Sequence, residues 1–135
     1  MVQGEIRVVW SKFTLLEKQV EPRAAKIIEQ GAQTMVTDMK DAIESGPKTG
    51  RLYRRGNVEH QASAPGEAPA TDIGTLANSL VVKRVAKLTR EIWGILYGFW
   101  LEFGTTTLLP RPFVRPAVDK NRDKLIADLE EIVKL

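Results

Sequence analysis

The spacing of apolar residues predicts one long helix in the first half of the chain. From residue 25 onward these side chains recur in steps of three and four, which places them on one stripe of a helix of about six turns. The stripe consists of Ala25, Ile28, Ala32, Met35, Met39 and Ile43, with Val36 beside it. Pro22 suits the first turn, and Ser45-Gly46-Pro47 is a typical end. Gly31 lies inside the helix and costs about 1 kcal/mol relative to Ala.

Two short elements are predicted before this helix. Residues 5–10, "EIRVVW", are β-branched and alternate in part, which is typical of a short strand. Ser11 is placed to cap a brief helix over residues 12–20 that ends before Pro22.

The middle of the chain is polar and has no sustained period. From residue 46 to about residue 73 neither the strand period nor the helix period persists, and "GRLYRRGN" would form a short strand at most. Loops longer than about 12–15 residues are uncommon in compact domains and tend to be functional or disordered. We therefore predict a long polar loop over about residues 46–75, for which a solvated flap is the plain alternative.

Two strands and two helices are predicted after this loop. Residues 80–87 and 91–98 form a hairpin whose second strand is apolar on both sides and is therefore covered on both faces. A short helix over residues 99–103 ends at Gly104, and three prolines delay the last helix until about Arg115. Its stripe is Val118, Leu125, Leu129 and Ile132, with Val133 adjacent. Five aromatic residues are assigned to the core: Trp93, Tyr97, Phe99, Trp100 and Phe103.

Together these elements predict an α+β fold. A small antiparallel sheet is packed by the long helix of the N-terminal half and by the C-terminal helix, with the long polar loop between them. The 135 residues fit one domain, over residues 1–135.

Composition narrows the possible functions. The chain has 20 Lys plus Arg against 17 Asp plus Glu, and a net charge of +3 is weak evidence for nucleic-acid binding. The absence of cysteine excludes disulfides, thiolate metal sites and cysteine nucleophiles. No apolar run approaches the roughly 18 residues that a membrane span needs, and "MVQGEIRVVWSKF" lacks the pattern of a signal peptide. We expect a protein that is soluble and has no membrane contact.

The sequence contains no convincing catalytic constellation. His60 is the only histidine, and no nearby serine stands in a sequence typical of an exposed nucleophile. "SAPGEAP" lacks the Lys-Ser/Thr pair of a phosphate loop. We predict no enzyme activity, no catalytic residue, no metal and no cofactor. A hydrolase that uses His60 with a loop serine or carboxylate is the rival reading, and it predicts that His60→Ala abolishes an activity.

Four stretches together resemble a family of phage proteins. They are "SAPGE" at residues 63–67, "DIGTL" at residues 72–76, "EFGT" at residues 102–105 and "RPFVRPA" at residues 111–117. In type, order and spacing they are similar to the gene-product-ten-like tail-component family of HK-type tailed bacteriophages. The departures are Ile73, where that pattern has Thr, and Thr106-Thr107, which lengthen the third stretch.

The resemblance implies a structural virion protein of a tailed phage or prophage, at the neck or tail-completion position where head joins tail. Such a protein is made in the bacterial host cytoplasm and then resides in the virion. Its implied partners are copies of itself in a ring, other head–tail connection and tail proteins, and DNA that it contacts non-specifically. Six or twelve copies would suit a tail or neck.

The resemblance also implies roles for particular residues. A loop that cannot pack on its own domain can be ordered against a neighbouring copy, at roughly 1–2 kcal/mol of backbone entropy per residue. The residues expected at the subunit interface or the lumen are Arg51, Tyr53, Arg54, Arg55 and Glu67. The structural motif comprises Gly66, Gly74, Glu102, Phe103, Gly104, Pro112, Phe113, Arg115 and Pro116, in which Glu102 and Arg115 hold the "EFGT" turn to the last helix.

A DNA-binding protein that uses the loop arginines is the alternative function. It predicts binding that weakens steeply as salt rises, because phosphate contacts release counterions. Ring assembly instead predicts sensitivity to substitution of Arg54 and Arg55.

Overall fold

The computed structural model describes residues 2–70 and 74–134, with side chains from residue 17 onward. It has an α+β fold, as predicted, with two small antiparallel sheets, β1–β2 and β3–β4. The elements are α1 (Val2–Ser45), β1 (Leu52–Arg55), β2 (Val58–Gln61), α2 (Thr75–Ser79), β3 (Val81–Ala86), β4 (Thr89–Trp93), α3 (Leu96–Phe103) and α4 (Val114–Val133).

The N-terminal prediction is wrong, because α1 is a single helix of 44 residues that includes Pro22. The strand over residues 5–10, the cap at Ser11 and a helix start at Pro22 are all replaced by it. Apolar residues in this part of the sequence recur in steps of four and three, a helical period that outweighs β-branched composition. They are Val2, Ile6, Val9, Phe13, Leu16 and Val20. Pro22 supplies no amide to the helix, and the long run of helical residues on both sides tolerates this loss.

The second half of α1 forms the core with α4, as its apolar stripe predicted. Met39 and Ile43 are fully buried, and Val36 nearly so. The other members of the core cluster come from α2, α3 and the start of α4: Leu76, Ala77, Leu80, Leu101, Phe113 and Ala117. Gly31 permits a close helix contact, since a Cβ there would lie 2.8 Å from Leu125 Cδ1. This packing offsets the low helix propensity of glycine.

Polar contacts reinforce the pairing of α1 with α4. Asp38 on α1 accepts hydrogen bonds from Asn121 Nδ2 at 2.6 Å and from Lys120 Nζ at 3.2 Å. The Asn121 bond, followed by the Lys120 ammonium, holds the pKa of Asp38 below its ordinary value. The carboxylate therefore contributes to helix pairing in its charged form.

The β3–β4 hairpin lies along α1. Val82 and Ile92 pack against the core, Arg90 bonds to Glu29, and Lys87 Nζ lies 3.3 Å from Glu21 Oε1. The bonds from Gln33 and from Arg90 lower the pKa of Glu29. The predicted hairpin is confirmed. Its strands are shorter than predicted, and Val81 lies opposite Trp93.

The second strand of this hairpin ends at Trp93 rather than at residue 98, and it is not covered on both faces. Gly94 lies against Leu80, since a Cβ there would be 2.9 Å from Leu80 Cδ2. The Ile95 amide donates to Ser79 Oγ at 3.2 Å. These contacts turn the chain away from the sheet, and residues 96–98 become the first turn of α3. The predicted helix end at Gly104 is confirmed.

The last helix begins one residue before the predicted start, at Val114. No helix in the described part of the chain is both long and apolar enough to cross a membrane.

Candidate functional site

The predicted polar loop contains a β-hairpin. β1 and β2 pair in antiparallel register from Leu52 opposite Gln61 to Arg55 opposite Val58. The two-residue turn between them has a positive φ of 65° at Gly56 only, as in the type II′ turns that suit two-residue hairpins. The structure thus differs from the prediction of one loop over residues 46–75, because four-residue strands on both sides of a Gly-Asn turn are too short to show a period.

All residues of the two hairpin strands except His60 are exposed to solvent. Leu52 and Val58 are each 58 % exposed, and Tyr53 is 38 % exposed. The two strands pack chiefly on each other. Arg51 precedes β1, and Arg54 lies directly opposite Glu59. The structure therefore brings the basic residues of the predicted interface together on one projecting element, which we call the β1–β2 hairpin.

His60 lies on the same hairpin, and its ring stacks on Tyr53 with centroids 5.5 Å apart and 23° between the planes. Its strand neighbours, apart from Tyr53, are Glu59 and Gln61. The Tyr53–His60 stack therefore joins the two strands of the hairpin through their side chains.

Glu67 ties the two ends of the hairpin segment together. Its carboxylate accepts hydrogen bonds from Thr49 Oγ1 at 2.5 Å, from the Ala64 amide at 2.8 Å and from the Thr49 amide at 2.9 Å. The Thr49 hydroxyl, and then the two amides, lower the pKa of Glu67. Glu67, predicted at a subunit interface or lumen, thus makes these bonds inside its own protomer.

Lys48 fastens the same segment to the end of α1. Its Nζ donates to Ala42 O at 3.0 Å and to Ala68 O at 2.9 Å. Burial lowers the pKa of Lys48. We call Lys48, Thr49, Ala64 and Glu67 the hairpin base, because together they close the loop from which the β1–β2 hairpin projects.

The hairpin base is also joined to the segment that leads into α4. The Gly66 amide donates to Pro110 O at 3.0 Å, and Arg111 Nε donates to Ser63 O at 3.3 Å. Gly66 has a positive φ of 87°, which glycine adopts without strain. The "SAPGE" and "RPFVRPA" stretches therefore lie side by side, and Pro112, Pro116 and Glu67 line one shallow cleft between them.

Glu102 on α3 caps the first turn of α4. Its Oε2 accepts from the amides of Phe113 at 2.8 Å and Val114 at 2.9 Å, and its Oε1 accepts from the amide of Arg115 at 2.9 Å. The next residue, Pro116, has no N–H. Since a helix leaves four amides without an intrahelical acceptor at its start, this arrangement accounts for all four. The predicted link between Glu102 and Arg115 is thus made through the Arg115 backbone.

Two glycines and one phenylalanine hold α3 in place. Gly104 has a positive φ of 77°, and a Cβ there would lie 2.7 Å from Leu108 O. A Cβ at Gly98 would lie 3.0 Å from Leu76 Cδ1 and 3.3 Å from Phe113 Cζ, and Phe113 is 2 % exposed. Gly74, with a φ of 76°, precedes α2. The motif positions Gly74, Gly104 and Phe113 therefore have structural reasons for their residue types, and so does Gly98, which the motif did not include.

The assignment of the α3 aromatics to the core is wrong. Gly98 and Leu101 face the interior, whereas most of the remaining apolar side chains of α3 lie on the solvent side. We call these exposed residues the α3 face: Leu96 (67 % exposed), Tyr97 (53 %), Phe99 (58 %), Trp100 (46 %) and Phe103 (67 %). Trp93, also assigned to the core, is 50 % exposed beside it. α3 is apolar on nearly every side, and the core is large enough to cover only one side of this helix.

An open groove of about 710 Å³ runs beside the α3 face, between β4 and the start of α4. Its floor is apolar and includes Leu80, Ile92 and Phe113. Its rim carries Trp93, Phe103, Arg115, Asp119 and Arg122. In the described ranges no three His, Asp or Glu side chains are grouped as a metal site would require. The arrangement is suited to holding an apolar segment of chain.

The sequence did contain a signal for the α3 face. Leu96, Phe99, Trp100 and Phe103 follow the i, i+3, i+4, i+7 spacing of one helix stripe. Assigning residues 96–98 to a strand hid this spacing.

Comparisons of the chain with protein-family models, with curated proteins and with solved structures gave no match.

Proposed function

We propose that this protein is a structural subunit of a tailed-phage or prophage virion, which joins head and tail at the neck or tail-completion position by assembling into a ring. The observation that carries this proposal is the β1–β2 hairpin, an exposed projecting element on a hydrogen-bonded base. The sequence resemblance supplies the class of particle. The hairpin supplies the means of contact between copies.

The exposure of the hairpin favours a protein partner. A lone two-stranded hairpin is marginally stable in water, and this one leaves Leu52, Tyr53 and Val58 uncovered. Tyrosine and arginine are the residue types enriched among interface hot spots. A neighbouring copy that covers Tyr53 and Arg54 would remove apolar surface from water and hold the strands together.

In this proposal the protein works by contact rather than by catalysis. Its neighbours are further copies of itself, in six or twelve, together with other head–tail connection and tail proteins. Arginines that face the lumen would touch passing DNA without reading its sequence. The protein would be made in the host cytoplasm and would end in the virion.

The first experiment measures mass in solution by light scattering over a concentration series, followed by negative-stain imaging of large species. The wild-type chain is expected to form closed rings at high concentration. The double variant Arg54→Ala/Arg55→Ala is expected to need at least a tenfold higher concentration to assemble. Lys18→Ala/Arg23→Ala is the matched control, because it removes two exposed positive charges from α1 instead.

Three results would contradict the proposal or its use of the hairpin. A strict monomer at every concentration would remove self-assembly. Equal loss of assembly in both double variants would indicate a general effect of charge. Tight binding of duplex DNA that falls steeply with salt, and that Arg54→Ala/Arg55→Ala abolishes without a change in mass, would favour the DNA-binding function.

A further inference from the structure

The α3 face is large enough to be half of a stable interface. Its five side chains and the adjoining Trp93 and Ile95 are 38 to 67 % exposed. Since large apolar side chains have roughly 150–250 Å² each, these seven present on the order of 700 Å². The largest apolar patch of a typical monomer is roughly 300–600 Å², and a standard interface buries about 800 Å² per partner. The patch therefore has the area that a second copy of this chain would cover.

The shape of this surface favours a narrow projecting partner. Leu96, Phe99, Trp100 and Phe103 form one stripe along α3, and the open groove runs beside it. Eight helical residues span about 12 Å, and four strand residues span about 13 Å. The β1–β2 hairpin thus matches α3 in length, and it is itself uncovered.

The two surfaces are complementary in packing of cations on aromatic rings, whereas the charges of the groove rim are mixed, with Asp119 opposite in sign to the hairpin arginines and Arg115 and Arg122 of the same sign. The hairpin carries Tyr53 and the arginines, and guanidinium groups pack favourably on exposed aromatic faces. Within the protomer, Lys83 Nζ already lies 3.8 Å from the ring centroid of Trp93. A cation thus packs on one aromatic ring of this region, and because Lys83 of the same protomer occupies that ring, the arginines of a second copy would pack on the exposed rings of α3 instead.

We infer that the α3 face and its groove receive the β1–β2 hairpin of a neighbouring copy. This inference rests on the proposed ring assembly and names the surface that the hairpin contacts. The two patches differ, so the contact is head-to-tail, and each added copy leaves one hairpin and one α3 face open until the ring closes. Pairing of two α3 faces would instead give a two-fold dimer with free hairpins.

Cysteine cross-linking tests this contact directly, because the chain has no cysteine of its own. Asn57→Cys labels the hairpin turn, and Arg122→Cys labels the groove rim. The two purified variants are mixed under assembling conditions and oxidised with copper phenanthroline. We expect at least tenfold more mixed disulfide dimer than from Asn57→Cys with Lys26→Cys, whose cysteine lies on an exposed part of α1.

A second variant tests the α3 face without cross-linking. Phe103→Glu places a charge at a residue that is 67 % exposed, and Val133→Glu does the same at one that is 58 % exposed on α4. Both should keep the wild-type urea midpoint. Only Phe103→Glu should reduce assembly, by at least tenfold in the concentration required.

The outcomes separate the two proposals. Rings that form normally with Phe103→Glu, and without Asn57–Arg122 cross-links, would overturn the inference and leave ring assembly intact. Cross-links between two Arg122→Cys copies, with none to Asn57→Cys, would indicate two-fold pairing and also overturn it. A wild-type chain that never assembles would overturn both.

Discussion

The hairpin base and the β1–β2 hairpin belong to one polar stretch of sequence but are held very differently. In the base, Lys48 and Glu67 each bond to backbone groups from distant parts of the segment. In the hairpin, every residue of both strands except His60 is exposed, although Tyr53 only to 38 %. The hairpin base is therefore bonded into the fold of its own protomer. We call such internally bonded residues the frame. In the proposed assembly, a neighbouring copy would have to cover the β1–β2 hairpin only.

α3 is likewise divided into a side that packs inside the protomer and a side that is exposed to solvent. Its inner side inserts Leu101 into the core and directs Glu102 to α4, whereas the α3 face is open. Residues of the frame should thus control the free energy of unfolding, and residues of the open surfaces should control association. The following substitutions test that separation.

Glu102→Ala should have the largest effect on stability. It leaves three amides of the first turn of α4 without their carboxylate, and we expect a loss of about 2–4 kcal/mol in the free energy of unfolding. Urea denaturation measures this loss. Glu130→Ala, an exposed acid on the same helix, is the control and should change stability by less than about 0.5 kcal/mol. Equal effects would mean that water satisfies these amides as well as Glu102 does.

Glu67→Gln should lower stability by less than Glu102→Ala, and the effect should depend on pH. The pKa of Glu67 is lowered in the folded state, so its contribution is complete above the ordinary carboxyl value of about 4.3 and disappears as the pH falls through the folded value. Urea midpoints of the two proteins should therefore differ at pH 7 and converge as the pH falls below the lowered pKa of Glu67 in the folded state. A difference that does not change over this range would contradict the role of the charged form.

Arg54→Ala should have the smallest effect on stability while it weakens assembly. Its side chain lies on the exposed hairpin, so the free energy of unfolding of the dilute protein should change by less than about 0.5 kcal/mol. Urea denaturation at low concentration and light scattering at high concentration measure the two quantities separately. A large loss of stability in the dilute protein would place Arg54 in the frame instead.

Elements with strong local signals were predictable from sequence. The Ser45-Gly46-Pro47 end of α1, the Gly104 end of α3 and the stripe of α4 all depend on residues close together in the chain. The α+β class follows from such elements, since two long apolar stripes and a hairpin must share a core.

The errors arise where local propensity competes with longer patterns. Residues 5–10 are β-branched, yet they belong to a helical period that continues through Pro22. The strand predicted to continue past Trp93 is turned by contacts of Gly94 and Ile95 with Leu80 and Ser79, which are distant in sequence. The core of this small domain is too small to cover all of the large aromatic side chains that were assigned to it. The spacing of Leu96, Phe99, Trp100 and Phe103 marks one apolar stripe of a helix, but only the packing of α3 shows that this stripe faces solvent rather than the core.

The Glu102 cap connects α3 with the first turn of α4, so the order of α3 and the capping of α4 depend on each other. The residue that closes the start of α4 stands on the same helical turns as Trp100 and Phe103. A ligand that binds the α3 face and orders this helix therefore also orders the acceptor of the α4 amides. The two processes then share a coupling free energy, which is reciprocal. If a neighbouring copy covers the α3 face as proposed and orders this helix, tightening the start of α4 would strengthen that contact by the same factor. Weakening the cap would then lower the affinity at a surface that Glu102 does not need to touch.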